Sequence, residues 1–291
     1  MAQQDKHGMI TDLFIEAIEG GFCEGKKWVR PWSVHGGGGA PMNPTTGREY
    51  RGINRLLLMI LGCSHAAGYG QWLNVGGQVR KGSKAVVITM PMFKTDKATG
   101  EQSLIGFRLG KTFPSYTQDG WTAPPVPVVP SFELHTALDA FIADTGAMIQ
   151  HGGDRACYAP SLDVITMPHA GQFSTAEDWY GTVLHELVHW TGNRTRLDRN
   201  RAHTERFDTL KDAYAFEELV AELGASFLCA DMGIHAGFRE DHAVYVNGWL
   251  KRLRADERAI FDAAREAQAA VEYIHNAVLS TRTPLEDEDA A

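Results

Sequence analysis

The chain has 291 residues, of which 44% are hydrophobic and 22% charged, a balance that excludes a disordered polymer and predicts a globular protein of two domains. No apolar run approaches the roughly 18 to 20 residues of a membrane span, and the polar start MAQQDKHGMI does not resemble a secretory signal. The four cysteines are widely spaced and form no C-x-x-C pair, so we expect no disulfide framework and a cytoplasmic location.

The net charge of −8 is distributed unevenly along the chain. Residues 1–130 hold 14 Lys and Arg against 9 Asp and Glu, whereas residues 131–291 hold 14 against 27. A first half with an excess of positive charge suits a polyanionic partner. The alternative is two ordinary surfaces of opposite sign, and no membrane partner is expected in either case.

The first half alternates helical and strand patterns, which predicts an α+β domain. Apolar residues at helical spacing predict helices over 8–20 and 53–61. The glycine-rich loop between them is interpreted as a loop and not as a phosphate cradle, because no Gly-Lys-Ser/Thr follows it. The segments 85–93 and 102–107 predict the two strands of a hairpin.

Basic and aromatic residues interleave between residues 26 and 116. This combination binds single-stranded nucleic acid, since cations follow the phosphates while rings stack on unpaired bases. The alternative is that most rings fill a small core, as we expect of Trp72 and Phe93. The candidate nucleic-acid contacts are Lys27, Trp28, Arg30, Trp32, Arg48, Tyr50, Arg51, Arg55, Arg80, Lys81 and Lys84.

Residues 122–131 (TAPPVPVVPS) place four prolines within seven positions, which predicts a stiff, extended linker. We therefore predict a first domain over 1–121 and a mainly helical second domain over 132–285, with an acidic tail over 286–291. The second domain is expected to contain one strand over 162–167. Its further helices are predicted over 134–145, 213–232, 245–255 and 260–279.

Residues His185 to His189 spell H-E-x-x-H inside an amphipathic helical pattern. Residues four apart lie on one face of a helix, so His185 and His189 can bind one metal ion. Glu186 can then address a metal-bound water as a catalytic acid/base without being a ligand. The alternative is a pair of hydrogen-bonded histidines in the core.

The ends of this helix carry recognisable signals. Ser174 and Glu177 fit a capping box at its start. Gly192 and Asn193 predict a left-handed terminating turn at its end.

A catalytic zinc needs a third protein ligand and an open position for water. Glu218 and Glu222 are four apart on a later predicted helix and share a face, whereas Glu217 is expected to point elsewhere. One of the pair would bind the metal while the other accepts a ring N–H from a ligating histidine, and spacing does not rank them. The alternative is that both glutamates face water. Zinc is the predicted metal, with manganese as the second candidate.

Such a site would hydrolyse an amide, which makes a zinc metallopeptidase of the H-E-x-x-H, gluzincin-like type the predicted enzyme class. The metal would acidify a bound water, Glu186 would take its proton, and the hydroxide would attack the carbonyl. The strand over 163–167 would hold an extended substrate by edge pairing. Tyr245 or His242 would donate to the oxyanion, although a tyrosine close to Trp249 is also typical of a core.

The two halves together resemble the ArdC-type antirestriction proteins of conjugative plasmids, whose first domain also begins some TraC-type plasmid primases. The first-half resemblance rests on WVRPW (28–32), NPTTGREYRGIN (43–54) and GQVRKGSKA (77–85), and the second on HELVHWTGNRTRLDR (185–199) and EELVAELGASFL (217–228). It implies a single-stranded DNA-binding domain joined to a zincin-like metallopeptidase domain, which protects incoming plasmid DNA from host restriction. The resemblance assigns His185 and His189 as metal ligands, Glu186 as the acid/base and the acidic helix as the source of the third ligand.

Three hypotheses follow. The first is an antirestriction protein that binds single-stranded DNA and has a peptidase-type site directed at a host restriction enzyme or another protein. The second is a non-enzymatic protein that covers single-stranded DNA and has a structural or vestigial metal site. The third is an intracellular metallopeptidase without a nucleic-acid role. Glu186 favours the first, since a structural site does not need that carboxylate.

Overall fold

The computed structural model describes residues 6–20, 39–95, 99–125, 131–234 and 243–283. The helices are α1 (Lys6–Gly20), α2 (Gly52–Ile60), α3 (Tyr69–Asn74), α4 (Ser131–Asp144), α5 (Ala176–Thr191), α6 (Arg199–Arg206), α7 (Leu210–Asp231), α8 (Ala243–Ala255) and α9 (Ala259–Arg282). The strands are β1 (Met42–Asn43), β2 (Arg48–Glu49), β3 (Ala66–Ala67), β4 (Gln78–Val79), β5 (Val86–Thr95), β6 (Gln102–Pro114), β7 (Gln118–Asp119), β8 (Met148–His151), β9 (Cys157–Ala159) and β10 (Val164–Met167). The α+β class predicted from the sequence is confirmed.

The described residues form two compact units. We call residues 39–95 and 99–125 the hairpin unit, and the other described residues the helical unit. The helical unit includes α1, although α1 precedes the hairpin unit in sequence. Thr11 on α1 donates a hydrogen bond to the Glu257 carbonyl (2.6 Å), and Glu19 forms an ion pair with Arg254 of α8. α1 therefore packs against α8, in the second half of the chain.

The prediction that residues 1–121 and 132–285 fold as separate domains stays a prediction. Most of the proline-rich linker and the whole acidic tail over 286–291 lie outside the described residues.

The hairpin unit is built around the antiparallel ladder of β5 and β6. Its register runs from Val86 opposite Thr112 to Thr95 opposite Gln102, and β3 pairs with the other edge of β6, so the strand order is β3-β6-β5. The second predicted strand is thus longer than expected. Trp72 is fully buried, as predicted, and donates a hydrogen bond to the Phe113 carbonyl (2.9 Å).

The prediction that Phe93 belongs to the core is wrong, because 55% of this residue is exposed. It lies on the distal half of the hairpin, beyond the packed positions Ile88 and Thr112.

The helical unit is organised around α7, which packs against α5, α6, α8 and α9. Its Ala- and Leu-rich sequence is buried on all sides from Phe216 to Ala230, so its carboxylates lie inside the protein. α5 crosses α7 closely at Gly224, where a Cβ atom would lie 2.8 Å from Val188 Cγ2. The small residue therefore brings α7 against the H-E-x-x-H segment itself.

A three-stranded sheet beside α5 has the order β8-β10-β9. β10 pairs in parallel with β8 and antiparallel with β9. Only β10 was predicted from the sequence, because β8 and β9 have three or four residues of mixed polarity and carry no clear alternation. The prediction that residues 163–167 would hold a substrate by edge pairing is wrong, since both edges of β10 are already paired within the sheet.

In the described part of the chain, no helix has both the length and the hydrophobicity that a bilayer crossing requires.

Candidate metal centre

α5 presents the H-E-x-x-H residues from a well-defined helix. Its N-terminal cap is Thr175, whose hydroxyl accepts a hydrogen bond from the Asp178 amide (3.1 Å), so the cap predicted at Ser174 is wrong by one position. The left-handed turn predicted at its end is also wrong, since Gly192 has a right-handed φ of −75°. Gly192 is suited there for another reason, because a Cβ atom would lie 3.1 Å from the His189 carbonyl oxygen.

Two histidines and one glutamate converge where α5 meets α7. The Nε2 atoms of His185 and His189 lie 3.1 Å apart. The Glu218 carboxylate oxygens lie 3.5 Å from His185 Nε2 and 3.4 Å from His189 Nε2. Among the described residues, this trio is the group whose donor atoms are arranged to hold a metal ion.

The spacing of these atoms fits a divalent ion. In a tetrahedral site with metal–ligand bonds of about 2.0–2.2 Å, neighbouring donor atoms lie about 3.3–3.5 Å apart. The two Nε2 atoms lie 3.1 Å apart, and each lies 3.4 to 3.5 Å from a different oxygen of the Glu218 carboxylate. Two imidazoles and one carboxylate are also a donor set that zinc uses in catalytic sites. The residues present therefore fit the metal that the motif predicts.

The other two glutamates of α7 contact the outer nitrogens of the same rings. Glu222 Oε2 lies 3.7 Å from His185 Nδ1, and Glu217 Oε1 lies 3.4 Å from His189 Nδ1. The expectation that Glu217 points elsewhere is wrong, because α7 is buried on all sides and its neighbouring positions also face α5 and α6. Carboxylates in these positions orient the ring and fix its tautomer.

Glu217 is held by a buried network that sequence reasoning missed. Arg199 donates to Glu217 Oε1 (2.8 Å), to the Val188 carbonyl (2.8 Å) and to the Thr191 hydroxyl (2.7 Å). His203 Nδ1 lies 3.1 Å from Glu217 Oε2. Arg199 and His203 are four apart on α6, and this spacing was the available signal, although nothing local indicates that α6 would pack on α7.

Burial and hydrogen bonds shift the pKa values of His189 and Glu218 in opposite directions. Burial disfavours charge on His189, but hydrogen bonds to Glu217 and Glu218 outweigh it and raise the pKa of His189 to about 10. Burial also opposes charge on Glu218, yet hydrogen bonds from His185 and His189 hold its pKa far below its ordinary value. Binding of a divalent ion requires neutral rings and would therefore release a proton from His189.

A cavity of about 400 Å³ opens onto the trio. Glu186 belongs to its wall, as do His185, His189 and Glu218. Strand β9, at one edge of its sheet, contributes Cys157 and Tyr158, and α6 and α7 contribute the opposite side, including Asn200, Thr204 and Tyr214. The edge strand beside the candidate centre is thus β9 and not the predicted strand.

Tyr158 is fixed in this wall by side chains that follow α5. Its hydroxyl donates to Asp163 Oδ1 (2.8 Å) and accepts from Asn193 (2.7 Å) and Arg196 (3.1 Å). The network ties the β9–β10 turn to the end of the H-E-x-x-H helix. Tyr245 belongs to α8, but its side chain lies outside the described residues, as does His242 entirely, so both stay predictions.

The predicted nucleic-acid contacts are divided by the structure. Arg48, Arg51, Arg80, Lys81 and Lys84 are exposed in the hairpin unit. Outside the described residues lie four more of the predicted contacts, Lys27, Trp28, Arg30 and Trp32.

The other two predicted contacts, Arg55 and Tyr50, pack within the hairpin unit. The prediction for Arg55 is contradicted, because the residue is 2% exposed on the buried side of α2. The half-buried Tyr50 donates to the Ala66 carbonyl (2.9 Å) and lies 3.2 Å from the Thr112 hydroxyl. Its ring packs on the small cluster of Leu58, Cys63 and Ala66, so it is tied to the core.

Two protein families match separate parts of the chain. Residues 4–116 match the N-terminal domain of anti-restriction factor ArdC, and residues 136–266 match the zincin-like metallopeptidase family MPTase-PolyVal. The protein y4eC of Sinorhizobium fredii, whose function is uncharacterised, is 35% identical over 93% of this chain and 92% of its own. A DNA primase TraC of Escherichia coli is also 35% identical, over 92% of this chain but only 27% of the primase.

Two crystal structures of the antirestriction protein ArdC from plasmid R388 have the same fold. The metal-free structure has a TM-score of 0.75 at 34% identity and covers 95% of this chain and 98% of that one. The Mn(II)-bound structure has a TM-score of 0.73 at 33% identity and covers 94% and 98%. With nearly the whole of both chains matched at this identity, the protein belongs to the ArdC family of antirestriction proteins.

Proposed function

We propose that this protein binds single-stranded DNA and carries a metal-dependent, peptidase-type site, and that it protects incoming plasmid DNA from host restriction. The observation that carries the peptidase part is the convergence of His185, His189 and Glu218 within one cavity that Glu186 also lines. Membership of the ArdC family supports the antirestriction role.

His185, His189 and Glu218 would hold the metal. A bound divalent ion would lower the pKa of a water molecule and polarise an amide carbonyl. Zinc suits two imidazoles and a carboxylate, and the Mn(II)-bound ArdC of plasmid R388 makes manganese the second candidate.

The chain's own residues supply the proton transfers and the orientation. The Glu186 carboxylate would accept a proton from the attacking water and pass it to the nitrogen of the leaving amine. Glu217 and Glu222 would hold the rings of His189 and His185 so that both Nε2 atoms face the centre. The free edge of β9 would pair with the backbone of an extended peptide, because its other edge is occupied by β10.

The DNA-binding part rests on charge. Residues 39–125 hold 10 Lys and Arg against 4 Asp and Glu, a net charge of +6 in a protein whose total is −8. An excess of this kind attracts the phosphates of a nucleic acid and makes the affinity fall as salt rises.

One experiment separates the first hypothesis from the second. Glu186→Gln should leave the metal content of the purified protein unchanged, because Glu186 is not among the metal donors, and should abolish protection of unmodified plasmid DNA transferred into a restricting host. Metal content is measured by elemental analysis and protection by transfer frequency. Full protection by a metal-loaded Glu186→Gln protein would instead mean that DNA covering is sufficient.

The third hypothesis is tested with the full-length protein and a fluorescent oligonucleotide. Anisotropy at two salt concentrations should give an affinity that decreases with salt. A wild-type protein without such affinity would leave only the peptidase role.

A further inference from the structure

The solvent-facing side of the β5–β6 hairpin is apolar at its distal half. In the antiparallel register Pro91 lies opposite Phe107, and Phe93 lies opposite Leu104. Residues directly opposite each other, or two apart on one strand, share a face of the ladder, so these four side chains form one surface. Phe93 is 55% exposed and Phe107 is 62% exposed.

The opposite face of the same ladder carries the packing. Ile88 and Thr112 are buried there, and Met90 lies over Gly110, which has no side chain to displace it. In an antiparallel sheet with one packed face, the other face is ordinarily polar. Phe93, Phe107 and Leu104 stand where polar residues are expected, and more than half of each residue is exposed.

Three exposed cations accompany the rings. Lys111 lies on the same face as the rings, closer to the packed end of the hairpin. Lys94 and Arg108 follow Phe93 and Phe107 directly in sequence and therefore lie on the opposite face of the ladder. No ion pair within the described residues engages any of the three cations. The two rings likewise make no ring stacking contact in that part of the chain.

We propose that the face formed by Pro91, Phe93, Leu104 and Phe107, which we call the ring face, is a stacking platform for single-stranded DNA. Phe93 and Phe107 are diagonal neighbours on the ladder, with a register shift between Met92 and Phe93, so each ring can receive a different base of an extended strand. Lys111, on the same face, neutralises phosphates that run alongside, whereas Lys94 and Arg108 start from the opposite face of the ladder and add to the positive charge of the hairpin. The assignment rests on the proposed DNA-binding function and locates it on residues that are separate from the predicted contacts.

The chemistry favours an unpaired strand over a duplex. Ring stacking needs the flat face of a base, which is covered by its neighbours in a double helix and accessible in a single strand. The net charge of +6 on residues 39–125 also favours a polyanion over a neutral or basic protein surface as the occupant.

The test measures binding of the full-length protein to a fluorescent oligothymidylate, to an abasic oligonucleotide of the same length and to a duplex. Phe93→Ala and Phe107→Ala should each lower affinity for oligothymidylate by about 5- to 150-fold, the range of one lost base stack. The wild-type preference for oligothymidylate over the abasic strand should shrink by the same factor. Because both residues are exposed, the variants should keep the wild-type thermal transition.

Two controls make the result specific. Phe107→Leu keeps the apolar volume but removes the ring, so it should lose nearly as much affinity as Phe107→Ala, whereas Phe107→Trp should retain it. Leu162→Ala removes an equally exposed apolar side chain (74% exposed) from the helical unit and should change nothing.

The outcomes separate this proposal from the proposed function. Wild-type binding that survives the Phe93→Ala/Phe107→Ala double substitution, or an unchanged affinity of Phe107→Leu, would overturn the ring face while DNA binding itself stands. A wild-type protein without salt-dependent affinity for the oligonucleotide would overturn DNA binding and the ring face together.

Discussion

The helical unit and the ring face of the hairpin unit depart from the usual burial pattern in opposite directions. The helical unit buries Glu217, Glu218, Glu222, Arg199 and His203 in the interface of α5, α6 and α7. The ring face leaves two phenylalanines and a leucine in contact with solvent. Charged residues are rarely buried unless paired, and large apolar groups are rarely clustered on a surface without a partner.

In each unit the place where we propose a function is also the place where the burial pattern is unfavourable for stability. The buried carboxylates are tolerated because histidines, an arginine and the proposed metal compensate them, so the site depends on the integrity of the fold. Substitutions on the ring face should leave the fold intact, because Phe93, Leu104 and Phe107 are each more than half exposed. Mutations should therefore couple stability to function in the helical unit and separate them in the hairpin unit.

The largest expected effect is on the buried ion pair behind His189. Arg199→Leu leaves the Glu217 carboxylate buried without its main partner and should lower the free energy of unfolding by about 3–5 kcal/mol. Urea unfolding of the metal-free protein measures it. Arg201→Leu on the same helix is the control, since the side chain of Arg201 is 63% exposed and solvent screens its pairs with Asp198 and Glu205, so this variant should unfold nearly as the wild type does. Equal losses in both variants would contradict the role of the buried pair.

Metal affinity should rank the carboxylates of α7. Glu218→Gln removes a donor atom and should weaken metal binding more than about 100-fold, whereas Glu222→Gln removes a partner of His185 Nδ1 and should weaken it about 10- to 100-fold. Competition with a chelator gives both values, and the exposed Glu205→Gln serves as the unaffected reference. A larger loss in Glu222→Gln than in Glu218→Gln would transfer the ligand role to Glu222.

The close crossing of α5 and α7 can be disturbed without changing any charge. Gly224→Ala would force Val188, inside the H-E-x-x-H segment, away from α7 and should cost about 1–3 kcal/mol of stability. Gly248→Ala on α8 is the matched control, because its new methyl group meets Ala215 Cβ at an ordinary 3.5 Å. That control should be neutral or slightly stabilising. Thermal unfolding compares them, and equal stability of the Gly224→Ala and wild-type proteins would exclude a tight crossing.

The His203 network predicts a pH dependence. Burial opposes charge on His203, but Glu217 and Glu266 raise its pKa to about 9. Protonated His203 therefore stabilises the fold. The stabilisation is complete when the pH is below the pKa of the unfolded state, near 6.5, and it is lost as the pH rises through the pKa of the folded state. The stability difference between wild type and His203→Gln should therefore be about 1–2 kcal/mol at pH 6 and shrink toward pH 9.5. Denaturant titrations across this range would contradict the assignment if the difference stayed constant.

The smallest effect is expected in the hairpin unit, at an ion pair about as short as the one between Arg199 and Glu217. Arg80 NH1 lies 2.6 Å from Asp119 Oδ1, but both side chains are largely exposed. Asp119→Asn should change the free energy of unfolding by less than about 1 kcal/mol, because solvent screens the pair and Arg80 keeps its bonds to the carbonyls of Tyr116 and Gln118. Urea unfolding provides the value. A loss as large as that of Arg199→Leu would end the contrast between the two units.

Features that depend only on residues close together in the sequence could be predicted from it. Regular apolar spacing located α1, α2, α4, α5, α7, α8 and α9, and the four-residue spacing of His185 and His189 placed both rings on one face. Strands β8 and β9 were not predictable, because segments of three or four residues carry too little periodicity.

Burial was harder to predict than secondary structure. Arg55 belongs to the packed side of α2 and Phe93 to the open end of a hairpin, although their residue types suggested the reverse. Residue type gives only an average tendency, whereas the packing of a particular helix or strand determines exposure.

The sequence by itself determined the two-part organisation, the helix that bears H-E-x-x-H and the later acidic helix that completes the trio, because these follow from local periodicity and residue chemistry. Only the tertiary structure decided that Glu218 faces both Nε2 atoms, that Glu217 and Arg199 lie behind His189, and that β9 is the edge strand. These relations depend on how helices far apart in sequence cross one another, and no local pattern encodes a crossing angle.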